Sequence, residues 1–159
     1  KAVTERFKKL MSIQGKRSVD SIHKELGLVM WDFVGMARNK AGLEQAINRI
    51  REIKKEFWNN VRIPGSIEGM NMELEKASRL ADFIEIGELM AIDALNREES
   101  CGGHFREEYQ TPEGEAMRQD DKFAYAACWE YKGEGQEPQL HKEELKFEEV
   151  ELKQRNYKE

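Results

Sequence analysis

Apolar residues recur at three- and four-residue steps through the first two thirds of the chain, and this rhythm stops after Arg97. Val3, Phe7, Leu10 and Met11 lie on one side of a short basic segment, residues 2–14, which Gly15-Lys16-Arg17 interrupts. Ser18 is placed to cap the next helix through its hydroxyl. From there Val19, Ile22, Leu26, Val29 or Met30, Phe33 and Ala37 trace a stripe down one helix face. Arg38-Asn39-Lys40 is a polar break. A third helix is predicted from about Ala41 to Val61, on Leu43, Ile47, Ile50, Ile53 or Lys54, Phe57 and Val61. Ile63-Pro64-Gly65 stops it, because proline cannot continue the hydrogen-bond ladder. Asn71 is a cap for a fourth helix reaching about Arg97, whose face is Leu74, Ala77, Leu80, Ala81, Ile84, Gly87, Ala91, Ala94 and Leu95. Its small residues let a neighbouring helix approach closely.

None of these stripes can stay in water, and short connections favour antiparallel neighbours. The prediction is a mainly α chain: an antiparallel three-helix bundle followed by an extended tail with a short β-hairpin. In the tail, Phe123, Tyr125, Ala127, Trp129 and Tyr131 alternate with polar positions, which is strand periodicity with one aromatic face. Thr111-Pro112-Glu113-Gly114 reads as a turn. Gly133-Glu134-Gly135 and Pro138 form a loop, residues 139–143 return as the partner strand, and a third extended stretch is placed near Leu145–Leu152. Two or three strands cannot make an independent core. The expected division is therefore 1–97, a helical domain, and 98–159, a tail that packs on the bundle or on a surface absent from this chain.

Composition narrows the function. Charged residues make up 36% of the 159 positions, as solvated outer helix faces require, and the net charge of −5 argues against nonspecific nucleic-acid binding. No apolar run approaches a membrane span, so direct membrane insertion is not expected. Two cysteines in a polar chain suggest a reducing compartment. The chain opens on Lys1-Ala2-Val3, already in helical register, which points to an excised piece or a processed product.

The densest chemistry lies at Arg97–Tyr109, R-E-E-S-C-G-G-H-F-R-E-E-Y. Cys101, His104, Cys128 and His141 form a set of ligand types that zinc accepts, but their spacing matches no standard finger. A nucleophilic Cys101 activated by His104 would follow a helix C-terminus, where the dipole has the wrong sign for a thiolate. Gly102-Gly103 lacks the strand before it and the helix after it that a dinucleotide site needs. It reads instead as a sharp exit from the helix. The block Trp31–Arg38 reads as core with a close contact at Gly35, although Trp31 and Met36 fall off the stripe and suggest a second partner surface. His23 reads as a partly buried, hydrogen-bonded histidine.

Three segments carry a resemblance: H-K-E-L-G-L-V-M-W-D-F-V-G-M-A-R-N, then E-F-W-N-N-V-R-I-P-G, then A-L-N-R-E-E-S-C-G-G-H-F-R-E-E-Y. They resemble, over essentially the whole chain, the C-terminal region of the flavoprotein subunit of succinate dehydrogenase and fumarate reductase. The E-S-x-G-x-H-x-R element also recurs in L-aspartate oxidases, and the tail looks more like the bacterial menaquinone-linked branch. The resemblance implies a spectrin-repeat-like three-helix domain preceded by FAD-binding and capping domains. It implies interconversion of succinate and fumarate, with electrons passing through an iron–sulfur subunit to or from quinone. It also implies a peripheral place on the cytoplasmic face of the membrane. FAD would belong to the intact subunit; no catalytic, cofactor-binding or metal residue is assigned to this chain, which alone is expected to be inactive. Glu99, Ser100, Gly102, His104 and Arg106 stand on the motif and are expected to dock the domain. Many family members carry arginine where this chain has Cys101, and compensation is expected from Arg97 or Arg106. The alternative is a free-standing helical interaction module with a zinc-stapled tail.

Overall fold

Each long helix begins at a polar side chain that accepts one of its free amides. In the computed structural model, which describes residues 1–133, 135–151 and 153, Ser18 Oγ accepts from Ser21 N at 3.2 Å, Asn39 Oδ1 from Gly42 N at 2.8 Å and Asn71 Oδ1 from Leu74 N at 3.1 Å. These caps start α2 (Val19–Val34), α3 (Lys40–Asn60) and α4 (Met72–Asn96). A shorter α1 (Ala2–Ser12) precedes them and buries only Leu10.

The stripes meet as their spacing requires. Ile22, Leu26 and Val29 of α2, Leu43, Ile50, Ile53 and Phe57 of α3, and Leu74, Leu80, Ile84 and Ala91 of α4 form one buried cluster. Each fully buried large aliphatic side chain contributes roughly 1.5–3 kcal/mol relative to exposure. Ion pairs run in step with the antiparallel helix directions. Arg51 and Lys54 of α3 meet Glu88 and Glu85 of α4 in reverse order, and Arg17 and Arg49 flank Glu25 of α2. Helices α2, α3 and α4 pack pairwise, and α1 lies on α4, where Arg6 donates to Ser78 O at 2.7 Å and Asp82 Oδ1 at 2.8 Å.

A two-residue parallel ladder, β1 (Arg17–Ser18) with β2 (Val61–Arg62), ties the start of α2 to the end of α3. Close by, Gly15 is buried, and a Cβ there would fall 1.9 Å from Asn60 O. The tail holds a short α5 (Asp120–Phe123) and an antiparallel hairpin of β3 (Tyr125–Glu130) with β4 (Gln139–Glu144). Alternation holds within β3, where Tyr125, Ala127 and Trp129 turn inward and Trp129 Nε1 donates to Asp93 Oδ1 of α4 at 2.7 Å, whereas Tyr131 lies beyond the strand and is 72% exposed.

Several boundaries differ from the sequence expectation. Helix α2 stops at Val34 and leaves Ala37 exposed off the stripe. The Arg38 guanidinium folds back and donates from Nε to Val34 O and Gly35 O, and a Cβ at Gly35 would lie 2.6 Å from Trp31 O. Phe123 belongs to α5 and not to the strand. Residues 145–151 contain no strand, and Leu152 lies outside the described residues. His23 is exposed and stacks on Phe83, with ring centroids 5.6 Å apart.

Candidate functional site at the helix-end elbow

Helix α4 ends at Asn96, and Arg97 leaves it in extended conformation. The glycine pair therefore does not make the helix exit. Gly102 (φ +59°) and Gly103 form the tip of a tight turn closed by Cys101 N donating to His104 O at 2.8 Å and His104 N to Cys101 O at 3.1 Å. Positive φ explains a glycine at 102.

The side chains around this turn face inward. Glu99, Ser100 and Arg106 are the buried polar residues of the chain's described part. Ser100 Oγ accepts from Arg106 N at 2.8 Å and donates to Arg106 O at 3.1 Å, so one hydroxyl serves both backbone groups of Arg106. Arg106 Nη1 donates to Ala94 O at 2.9 Å and Leu95 O at 3.3 Å, satisfying carbonyls that the helix end leaves free. A cation at that end also opposes the helix dipole. Its Nε donates to Glu108 Oε2 at 3.1 Å. Glu99 accepts from Arg97 Nη1 and from Gln119 N, each at 2.8 Å, and Arg97 continues to Phe123 O and Tyr125 O. The elbow thus fastens α4 to the strand that follows.

His104 links three segments. Arg38 Nη1 lies 2.9 Å from Nδ1, and Arg97 O lies 2.9 Å from Nε2. Arginine can only donate and a carbonyl can only accept, so the imidazole is neutral with its proton on Nε2. Burial holds its pKa below the ordinary range against the pull of the Arg97 carbonyl, and the charges of Arg38, Arg106 and Arg97 add to the depression. The backbone of Arg38 runs beside the elbow as well, with Arg38 N donating to Phe105 O and Glu107 N to Arg38 O. Arg38 is the residue that periodicity missed. It was legible only as part of a polar break, because nothing local records that the chain returns to it 66 residues later.

Cys101 is a half-buried free thiol. Arg118 is bonded to Asp120, and Arg97 and Arg106, the expected sources of compensation, are bonded to Glu99 and to backbone carbonyls. The four proposed zinc ligands do not converge. His104 has both ring nitrogens engaged, Cys128 and His141 face each other across the hairpin, and His141 Nε2 is 2.8 Å from Glu130 Oε2. Among the described residues no group of three candidate ligands is placed to hold a metal. Nor does a dinucleotide fit. The nearest strand–turn–helix passage, β2 to α4, has one positive-φ glycine, Gly65, and the Asn71 amide fills the space beside it. No helix among the described residues is long and apolar enough to cross a membrane.

Such a chain is a helical domain with a polar elbow at one end and a small hairpin on its side. It belongs to the fumarate reductase and succinate dehydrogenase flavoprotein C-terminal family, whose model matches residues 23–157. It is 29% identical over 145 residues to the fumarate reductase flavoprotein subunit of Proteus vulgaris, covering 91% of this chain and 23% of that protein. It is 32% identical over 103 residues to an FAD-dependent oxidoreductase of Methanocaldococcus jannaschii, covering 65% and 18%. Among solved structures, a quinol-fumarate reductase with menaquinol molecules superposes with a TM-score of 0.80 at 26% identity, over 94% of this chain and 25% of that one. The Mycobacterium smegmatis Sdh1 complex gives 0.74 at 25% identity, over 92% and 24%. The chain spans under a quarter of the length of the curated relatives it matches.

Proposed function

We propose that this chain is the C-terminal structural and docking domain of an FAD-dependent subunit that interconverts succinate and fumarate. In this reading the intact subunit passes electrons through an iron–sulfur subunit to or from quinone, at the cytoplasmic face of the membrane. Residues 1–97 form a spectrin-repeat-like three-helix bundle, and residues 98–159 form the tail. The observation that carries the proposal is the family match over residues 23–157. FAD belongs to the rest of the subunit, and no chemical step is assigned to residues of this chain.

The elbow supports the docking role. Glu99, Ser100, His104 and Arg106 spend their polar atoms inside the chain, while Gly102 and Gly103 stand exposed with open space around them. Buried side chains hold the turn, and the turn meets the neighbouring FAD-binding or capping domain. The zinc-stapled alternative has no observation in its favour.

The full product of the parent gene tests this. It is expected to carry a flavin spectrum and to reduce an artificial dye with succinate, whereas the 159-residue chain alone does neither. A full product that binds no flavin sinks the reading.

A further inference from the structure

Each of the chain's two cysteines is bridged to a histidine through the backbone, and the two histidines differ. At the elbow Cys101 is half-buried, and His104 spends both ring nitrogens, Nδ1 on Arg38 and Nε2 on the Arg97 carbonyl. On the hairpin Cys128 is exposed and stands directly opposite His141 in the β3–β4 register. Such partners hold their Cβ atoms about 4.5–5.5 Å apart, within the combined reach of a thiol and an imidazole. Glu130 is two residues along on the same outer face. Its Oε2 lies 2.8 Å from His141 Nε2, and its Oε1 accepts from Lys132 Nζ at 3.0 Å. Lys132 and then His141 hold the Glu130 carboxyl below its usual range, so it is ionised and can only accept. The neutral imidazole therefore donates from Nε2 and carries its lone pair on Nδ1. The other neighbours of Cys128 on this face are Ala126, Gln139 and Glu143.

We propose that Cys128 is a site of reversible thiol–disulfide exchange, with His141 as its base and Glu130 orienting that base, and that its substrate is a small cationic disulfide. His141 Nδ1 takes the proton of Cys128 Sγ as the sulfur attacks one sulfur of the disulfide. A new S–S bond forms at Sγ while the old one breaks. The bonding pair leaves with the other sulfur, which recovers the proton from the imidazolium and departs as a free thiol. Cys128 is oxidised, the departing half is reduced, and excess thiol runs the exchange backwards. Glu130 and Glu143 disfavour a standing thiolate, so the proton must be removed during attack, which is the step a neighbouring base serves. The same two carboxylates draw in a disulfide that carries ammonium groups and repel one that carries carboxylates. The face is exposed, so added salt weakens this preference. Cys101 has no such base, because His104 Nδ1 already accepts from Arg38.

Peptide mass spectrometry of the 159-residue chain after timed exposure to cystamine, or in a second arm to oxidised glutathione, tests this. Each rate is divided by that of a short cysteine peptide with the same reagent. Cys128 is expected to react several-fold faster than Cys101, and faster with cystamine than with oxidised glutathione. His141→Gln is expected to slow Cys128 several-fold at about pH 7, where the unperturbed imidazole is largely neutral, and to leave Cys101 unchanged. The gap closes above about pH 9, past the ordinary thiol value of about 8.5, because solvent then removes the proton. Equal Cys128 rates in parent and variant at neutral pH overturn the proposal. A gap that persists in alkaline solution reports a disturbed hairpin and overturns it as well. A relative rate with oxidised glutathione that equals or exceeds the rate with cystamine overturns the assignment of a cationic substrate.

Discussion

Replacing Arg106 by methionine keeps most of the side chain's volume and removes its charge and donors. The residue is 2% exposed, so water cannot take over its bonds. The 2.9 Å bond to Ala94 O is a buried charge-assisted hydrogen bond, a type worth about 1.5–3 kcal/mol. The 3.3 Å contact with Leu95 O adds roughly half as much by the same reasoning. Glu108 is 38% exposed, so its ion pair is screened and adds only about 0–1 kcal/mol. The expected loss is about 3 kcal/mol, which for a chain of this size lowers Tm by about 6–12 °C. Urea unfolding followed by circular dichroism measures it, with Glu108→Gln as a surface control expected to cost less than about 1 kcal/mol. If Arg106→Met costs less than about 1 kcal/mol at an unchanged denaturant slope, Arg106 does not hold the end of α4 and the account of the elbow is wrong.

Other outcomes follow from the same geometry. His104 is held neutral in the fold with a depressed pKa, so the unfolded chain binds its proton first as pH falls. Its stability contribution is complete above the ordinary imidazole value of about 6.5 and is lost below it. Unfolding curves across that range should flatten in His104→Ala relative to the parent, and an unchanged slope refutes the assignment. Ser100→Ala strips a buried hydroxyl from both backbone groups of Arg106 and should cost about 2 kcal/mol by the same urea assay. Gly15→Ala drives a Cβ into the Asn60 backbone and should cost about 1–3 kcal/mol. Gly27→Ala, in an open helical position, should gain about 0.5–1 kcal/mol; a loss would show that the position is not open.

The helices were legible because burial demands a period, and the period survives in the sequence. Leu43, Ile50 and Phe57 are buried where their spacing put them, and Ser18 and Asn71 cap as their chemistry suggests. The hairpin was legible for the same reason at period two, with Trp129 on the inner face. What failed to show were arrangements in which distant segments decide. Ala37 continues the stripe on paper, but Gly35 and the Arg38 guanidinium end α2 three residues earlier. The β1–β2 ladder is two residues long and leaves no pattern. Arg106 looks like one more charge among Glu107 and Glu108; its burial depends on the elbow folding back over α4, which no local propensity encodes. By contrast, the off-stripe positions of Trp31 and Met36 did signal an outward apolar surface.

These two kinds of residue require two kinds of experiment. Alanine at His104 or Arg106 removes bonds made within the chain, so a loss of assembly in such variants reports a collapsed elbow as readily as a lost contact. Gly102, Gly103 and Met36 are different. They are exposed and make none of the side-chain hydrogen bonds described above that hold the turn. Met36→Glu should therefore leave the unfolding curve of the 159-residue chain within about 0.5 kcal/mol of the parent while weakening flavin retention in the intact subunit. A variant that unfolds the chain, or one that leaves flavin retention in the intact subunit unchanged, refutes this separation of stability from docking.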